Sequence, residues 1–178
     1  MNLPNKLTIL RILLVPVFIA CFYLSTPHAQ LIAAVVFSLA YVTDILDGSI
    51  ARKRNIITNF GKLMDPIADK LLTCSAFVML VSFGMLSPIA AIIVIGREFL
   101  ISGFRLVAAG SGNVIAASWL GKTKTISQCA AIVLILVWPS LGLMSFRLDL
   151  IVLWLSVLFT IWSGADYIIR NRASVNFS

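Results

Sequence analysis

Charge is scarce in this sequence. Asp, Glu, Lys and Arg supply only 12% of its 178 residues, while hydrophobic residues supply 60%. A soluble domain carries about 25% charge, and the mean hydropathy of +1.03 points away from water. An ordinary soluble globule is thereby excluded. Histidine is nearly absent, with His28 the single example. Cys21, Cys74 and Cys129 all lie in apolar runs and lack metal-ligand spacing, so they read as small packing residues, not disulfide partners or zinc ligands. There is no internal repeat, low-complexity tract or interdomain linker, so residues 1–178 read as a single membrane domain. No A-x-A-like cleavage site precedes the first apolar run, which reads as a retained helix.

What the chain does have is apolar segments of membrane-spanning length, enough for about six helices of roughly 20 residues. The expected spans are Leu7–Tyr23, Gln30–Lys53, Gly61–Phe83, Pro88–Gly110, Thr125–Leu143 and Leu150–Arg170. Ser25-Thr26-Pro27-His28, Gly84 to Pro88, Gly110 to Asn113, and Pro139 with Gly142 punctuate them. Pro16 should kink the first helix or end it early. The fold class expected is all-α: a polytopic bundle of about six transmembrane helices around a polar cavity facing the cytosol.

Basic residues orient this bundle. Lys6 and Arg11 flank its start; Arg52, Lys53, Arg54 and Lys62 crowd the second connection; Arg105, Lys122 and Lys124 border the fourth; Arg170 and Arg172 close the chain. The opposite side has only Arg147. The positive-inside bias then places both termini and the second connection in the cytoplasm. The net charge of +7 reads as topology and attraction to anionic lipid headgroups, not as nucleic-acid binding.

Against this background, four of the seven acidic residues fall between positions 44 and 69. Asp44 and Asp47 are spaced i,i+3 and Asp65 and Asp69 i,i+4, so each pair shares a helical face. The short connection between their helices makes those helices antiparallel neighbours. Asp44 lies about 12 Å along its helix from Arg52, inside the cytoplasmic third of the bilayer. A carboxylate at a helix centre in the membrane costs roughly 2.5–3.5 kcal/mol on insertion scales, so neutralising partners are required. Oxygen-only donors favour hard cations such as Mg²⁺, Mn²⁺ or Ca²⁺. Gly48 and Ala51 leave a smooth strip beside the acids, and Arg52 offers a planar fork suited to phosphate. A divalent-cation transporter is a competing reading of such an acidic array, although the acids group toward one face and the Gly48, Ala51, Arg52 strip has no use in an ion path.

The run Asp44-x₂-Asp47-Gly48-x₂-Ala51-Arg52-x₈-Gly61-x₃-Asp65-x₃-Asp69 resembles the signature of the CDP-alcohol phosphatidyltransferase family and matches every specified position. The resemblance implies transfer of a phosphatidyl group from a CDP-activated lipid to an alcohol, with CMP leaving. It implies two divalent metal ions (Mg²⁺ or Mn²⁺) held by Asp44, Asp47, Asp65 and Asp69, with Asp69 the base for the acceptor hydroxyl. It also implies a CDP site formed by Asp44, Asp47, Gly48, Ala51, Arg52 and Gly61. Family members are typically homodimers.

Three further stretches, Asn2 to Arg11, Gly96-Arg97-Glu98-Phe99 through Arg105, and Ala116 to Thr125, resemble the bacterial members that join CDP-diacylglycerol to sn-glycerol 3-phosphate. A cell-membrane location with a cytoplasmic active site follows from that resemblance. Inositol phosphate, serine or phosphatidylglycerol remain alternative acceptors. A phosphorylated acceptor needs cations, for which Arg105, Lys122, Arg11 and Lys62 are the candidates, although the lysines read equally as topology signals. Arg97 beside Glu98 reads either as a buried structural cation or as a substrate contact. Asp166 and Arg170 should form a local i,i+4 pair, and Trp119, Trp154 and Trp162 should anchor or pack.

Overall fold

The computed structural model describes residues 3–53, 59–110, 119–141 and 147–172, with side chains described over 5–45, 64–110, 119–141 and 147–172. The regular structure there is entirely helical: α1 (Leu3–Cys21), α2 (Ala29–Lys53), α3 (Asn59–Ser82), α4 (Pro88–Gly110), α5 (Trp119–Val137) and α6 (Leu148–Asn171), with a 3₁₀ turn at Trp138–Leu141. Two stretches, Trp119–Leu141 and Leu148–Asn171, are long and apolar enough to cross a membrane. Elsewhere charge interrupts the apolar runs. Asp65, Asp69 and Lys70 lie within α3, and Arg97, Glu98 and Arg105 lie within α4.

The chain forms two compact units. One comprises Met1–Met85 with Ile132–Phe146, the other Leu86–Ala131 with Arg147–Ser178. In the first unit α1 packs on α2 and α3, and α2 on α3. The buried residues of α1 among those described are Thr8, Arg11, Val15, Phe18 and Cys21, with Phe22 buried just beyond it; their three- and four-residue spacing lines one helical face. On α2 the buried Ala33, Phe37 and Ala40 continue at that spacing to Asp44. On α3 the buried Leu72, Ala76 and Leu80 share a face with Asp65 and Asp69. The alanines allow close backbone approach.

The two ends of this unit differ chemically. At one end Phe18 meets Phe22 edge-on at 5.2 Å and Phe37 at 5.8 Å, while Phe83 lies 5.1 Å from Phe22 and 5.7 Å from Tyr23. Aromatic pairs at these separations contribute about 0.5–1.5 kcal/mol each beyond area burial. The polar residues of all three stripes gather at the opposite end.

Gly84 ends α3 in the left-handed region, at φ 67°. Its N–H donates to Val81 O (3.0 Å) and the Met85 N–H to Leu80 O (2.8 Å). This pairing satisfies carbonyls of the last turn as a Schellman motif does. Pro88 opens α4, a position where its missing N–H costs no helical hydrogen bond. Pro16 was expected to kink or shorten the first helix, yet α1 runs on to Cys21.

In the second unit α4 packs on α6. The buried residues of α6 include Leu153, Ser156, Val157, Thr160, Ser163, Gly164 and Tyr167, a stripe rich in small and polar groups. Its hydroxyls bond back to their own helix: Ser156 to Leu153 O, Thr160 to Ser156 O and Ser163 to Thr160 O. Just before the helix, Arg147 grips the buried Asp149 with two hydrogen bonds (3.1 and 3.0 Å), which raise the pKa of its guanidinium.

The fifth helix begins six residues before the expected Thr125, at Trp119. Lys122 and Lys124 had marked that region as a loop border, but their long unbranched side chains suit a helix. Lys122 extends over the Trp119 ring at 5.9 Å. Lys124 turns inward and is buried.

Candidate active site

The polar end of the first unit is built from α1 outward. Thr8 and Arg11 stand one turn apart, so they share a face, and both are fully buried. The Thr8 hydroxyl donates to Asp65 Oδ1 of α3 at 2.6 Å. Arg11 Nη1 lies 2.7 Å from Asp44 Oδ1 of α2. One face of α1 therefore draws together an acid from each half of the motif. The Asp44 side chain keeps 34% of its exposure while Arg11 keeps none, so the acid is reachable and its cation is sealed behind it. Asp69 lies one turn beyond Asp65 and is half-buried. Nearby, Lys70 Nζ donates to Pro66 O at 3.2 Å.

The side chains of Asp47, Gly48, Ala51, Arg52, Gly61 and Lys62 lie outside the described residues, although all six positions belong to α2 or α3. Among the described residues no three His, Cys, Asp or Glu side chains form a ready-made cation site. The donor chemistry nevertheless suits hard divalent ions. Asp44, Asp65 and Asp69 offer oxygen alone, and each carboxylate accepts more than one bond.

The proposed acceptor cations fall in different settings. Arg11 is buried against Asp44. Arg105 and Lys122 are exposed, on α4 and α5.

The second unit holds another charged group. Glu98 of α4 is paired with Lys124 of α5, and both are buried. Arg97 Nη1 lies 3.7 Å from Glu98 Oε1, and its Nη2 donates to Ser163 Oγ of α6 at 3.0 Å. Gln128 Nε2 donates to Thr160 Oγ1 at 3.0 Å. Arg97 thus links α4 to α6 through its bond to Ser163. Asp166 and Arg170 pair at 2.6 Å, as their i,i+4 spacing predicts. Trp119, Trp154 and Trp162 are exposed side chains of apolar helices. A groove of about 400 Å³ along α6, lined by Leu155, Leu158, Phe159, Ile161 and Trp162, has no charged side chain to orient a polar substrate.

Sequence reasoning did not single out Thr8, and it named Arg11 only as a candidate for the acceptor phosphate, not as a partner of Asp44. The available signal was their i,i+3 spacing within an apolar run. It becomes informative only once Asp44 and Asp65 are known to face α1.

Relatives match this chain over nearly its full length. The chain is 42% identical over 190 residues to a CDP-diacylglycerol–glycerol-3-phosphate 3-phosphatidyltransferase of Bacillus subtilis, covering 99% of this chain and 98% of that protein. It is 44% identical over 169 residues to the Rickettsia bellii protein of the same name, with 93% of each chain covered. The Haemophilus influenzae protein of that name is 39% identical over 180 residues, covering 98% and 95%. The model of the CDP-alcohol phosphatidyltransferase family matches residues 1–162, which include both halves of the acidic motif and the α1 face that joins them. With the spacing, the convergence of Asp44 and Asp65 and this match in agreement, the chain belongs to the CDP-alcohol phosphatidyltransferase family.

Proposed function

We propose that this protein transfers the phosphatidyl group of CDP-diacylglycerol to sn-glycerol 3-phosphate, yielding phosphatidylglycerophosphate and CMP for phospholipid synthesis. The observation that carries this reading is the gathering of Asp44 and Asp65 on one face of α1, within a fully matched family motif. Relatives at 39–44% identity, covered almost end to end, bear the name of that reaction and support the acceptor assignment.

In this reading Asp44, Asp47, Asp65 and Asp69 hold two divalent ions, Mg²⁺ or Mn²⁺, which supply positive charge against the diphosphate and the departing CMP. Gly48, Ala51, Arg52 and Gly61 line the cytidine diphosphate alongside Asp44 and Asp47. Asp69 accepts the proton of the attacking hydroxyl, since a neutral alcohol is a poor nucleophile. A new P–O bond forms to the acceptor oxygen as the bond to CMP breaks. Arg105 and Lys122 are the cations for the acceptor phosphate.

We further propose one membrane domain of six spans, a cytosol-facing polar cavity, both termini in the cytoplasm of a bacterial cell, and a homodimeric assembly. The charge interrupting α3 fits a helix that lines a polar cavity.

The deciding experiment incubates purified protein with CDP-diacylglycerol and Mg²⁺ or Mn²⁺ and offers each alcohol in turn, measuring CMP release. Glycerol 3-phosphate should support turnover at least about tenfold above serine, inositol phosphate or phosphatidylglycerol, the spread expected from about 1.4 kcal/mol of differential recognition. Preference for an unphosphorylated alcohol would overturn the acceptor, and no CMP release with any alcohol would overturn the reaction.

A further inference from the structure

Most described hydroxyls on these helices turn back onto their own backbone. Thr43 donates to Ala40 O, Ser82 to Val78 O, Ser102 to Glu98 O and Thr125 to Gly121 O. Such bonds occupy a hydroxyl locally and place no demand on another helix. Thr8 behaves differently. Its hydroxyl reaches across 57 residues of sequence to Asp65, and it does so from a fully buried position. Three residues on, Arg11 is the largest fully buried side chain among the described residues, and it too reaches another helix, at Asp44.

A buried guanidinium is costly unless paired in good geometry. A cheaper apolar residue would fill this face of α1, as Val15 and Phe18 do further along. Keeping a hydroxyl and a guanidinium here therefore calls for a benefit beyond packing. Each of them engages the Oδ1 atom of one carboxylate. A carboxylate has two oxygens and about four lone-pair sites. A bond from α1 restricts the side chain's rotation, and the Asp44 side chain stays 34% exposed beyond it.

We propose that Thr8 and Arg11 are positioning residues, through which one face of α1 fixes the orientation of Asp65 and Asp44 for divalent-cation binding. The proposal rests on the metal-dependent reading above and gives the Asn2 to Arg11 segment a physical task. Loss of the Thr8 hydroxyl frees Asp65 to rotate, and loss of the Arg11 fork frees Asp44. Partners that orient metal ligands typically contribute 10–100-fold in metal affinity.

The test measures Mn²⁺ binding directly, by electron paramagnetic resonance of free Mn²⁺ in titrations of full-length protein in detergent, alongside thermal stability and CMP release. Thr8→Val keeps the shape and removes the donor. It should weaken Mn²⁺ binding by about 10–100-fold and shift the metal-activation curve by a similar factor. The KM for glycerol 3-phosphate at saturating metal should stay unchanged. Thr8→Ser should recover most of the affinity. Arg11→Lys, which retains charge but loses the planar fork, should fall between wild type and Thr8→Val. Wild-type Mn²⁺ affinity in folded Thr8→Val overturns the inference and leaves the phosphatidyltransferase reading standing. Equal loss in Thr8→Ser and Thr8→Val also overturns it, because the hydroxyl would not be the operative group. Wild-type protein that binds no Mn²⁺ overturns both the inference and the metal-dependent reading on which it rests.

Discussion

The two units each bury charge, and they handle it in opposite ways. In the second unit the acid and its cation are sealed together: Glu98 and Lys124 are both buried, with Arg97 alongside and bonded to Ser163. In the first unit only the cation is sealed. Arg11 is fully buried, while its partner Asp44 retains a third of its exposure. A closed pair can only hold helices together. A pair with one open member holds helices and still presents an acid to an incoming ligand. The contrast separates structural from functional charge in a chain whose composition allows little of either.

The closed pair should give the largest effect. Breaking a buried ion pair by removing one partner costs about 3–5 kcal/mol. Glu98→Gln, which removes the carboxylate charge paired with the buried Lys124, should lower the melting temperature in detergent sharply. The joint replacement Glu98→Leu with Lys124→Met should regain much of the loss. Full stability in the single variant would show that the second unit is not held by this pair.

Next comes the open end. Asp69→Asn should reduce CMP release by at least about 10²-fold, the low end for loss of a general base. Thermal stability should be unchanged, because among the described residues the buried Arg11 and Thr8 engage Asp44 and Asp65, not this acid. Asp44→Asn should lose both activity and stability, since it also removes the charge paired with the buried Arg11. If Asp69→Asn melts early and Asp44→Asn does not, the assignment of open and anchoring roles is reversed.

A smaller change is expected at Arg105. Its replacement by Ala should raise the KM for glycerol 3-phosphate by roughly tenfold, on the scale of a charge-assisted hydrogen bond, with little change in donor KM. Steady-state kinetics with each substrate varied in turn decides it.

The smallest concerns Gly164, where an added Cβ would come within 3.2 Å of Arg97 Cγ. Because Arg97 is held by Ser163, Gly164→Ala should cost about 1 kcal/mol, the lower end for overpacking. Urea or thermal denaturation monitored against wild type would register it. A stabilised variant would show that Arg97 moves freely.

Much of the first unit could be read from spacing. The i,i+3 and i,i+4 acids require shared faces, and the short link between α2 and α3 brings those faces together. Pro88 and Gly84 announced the corner after α3. The remainder depends on partners distant in sequence. Nothing near Glu98 indicates that Lys124 will meet it, so both α5 lysines looked like loop markers. Thr8 sits in an apolar run where a lone threonine ordinarily bonds to its own helix. Arg11 was legible as a cation but not as one turned inward, because burial is decided by the neighbours that α2 and α3 provide.

The Arg11–Asp44 bridge also bears on how such a chain enters a bilayer. A lone Arg or Asp at the centre of a spanning helix carries an insertion penalty of about 2.5–3.5 kcal/mol. α1 emerges from the ribosome ahead of α2, which brings a charge opposite to that of Arg11 33 positions later. Pairing before partitioning offsets both penalties at once. In the six-span arrangement proposed above, the first two helices are therefore suited to leave the translocon together as a hairpin, with α3 joining when Asp65 finds Thr8. Biogenesis of this unit becomes a cooperative event instead of three successive ones.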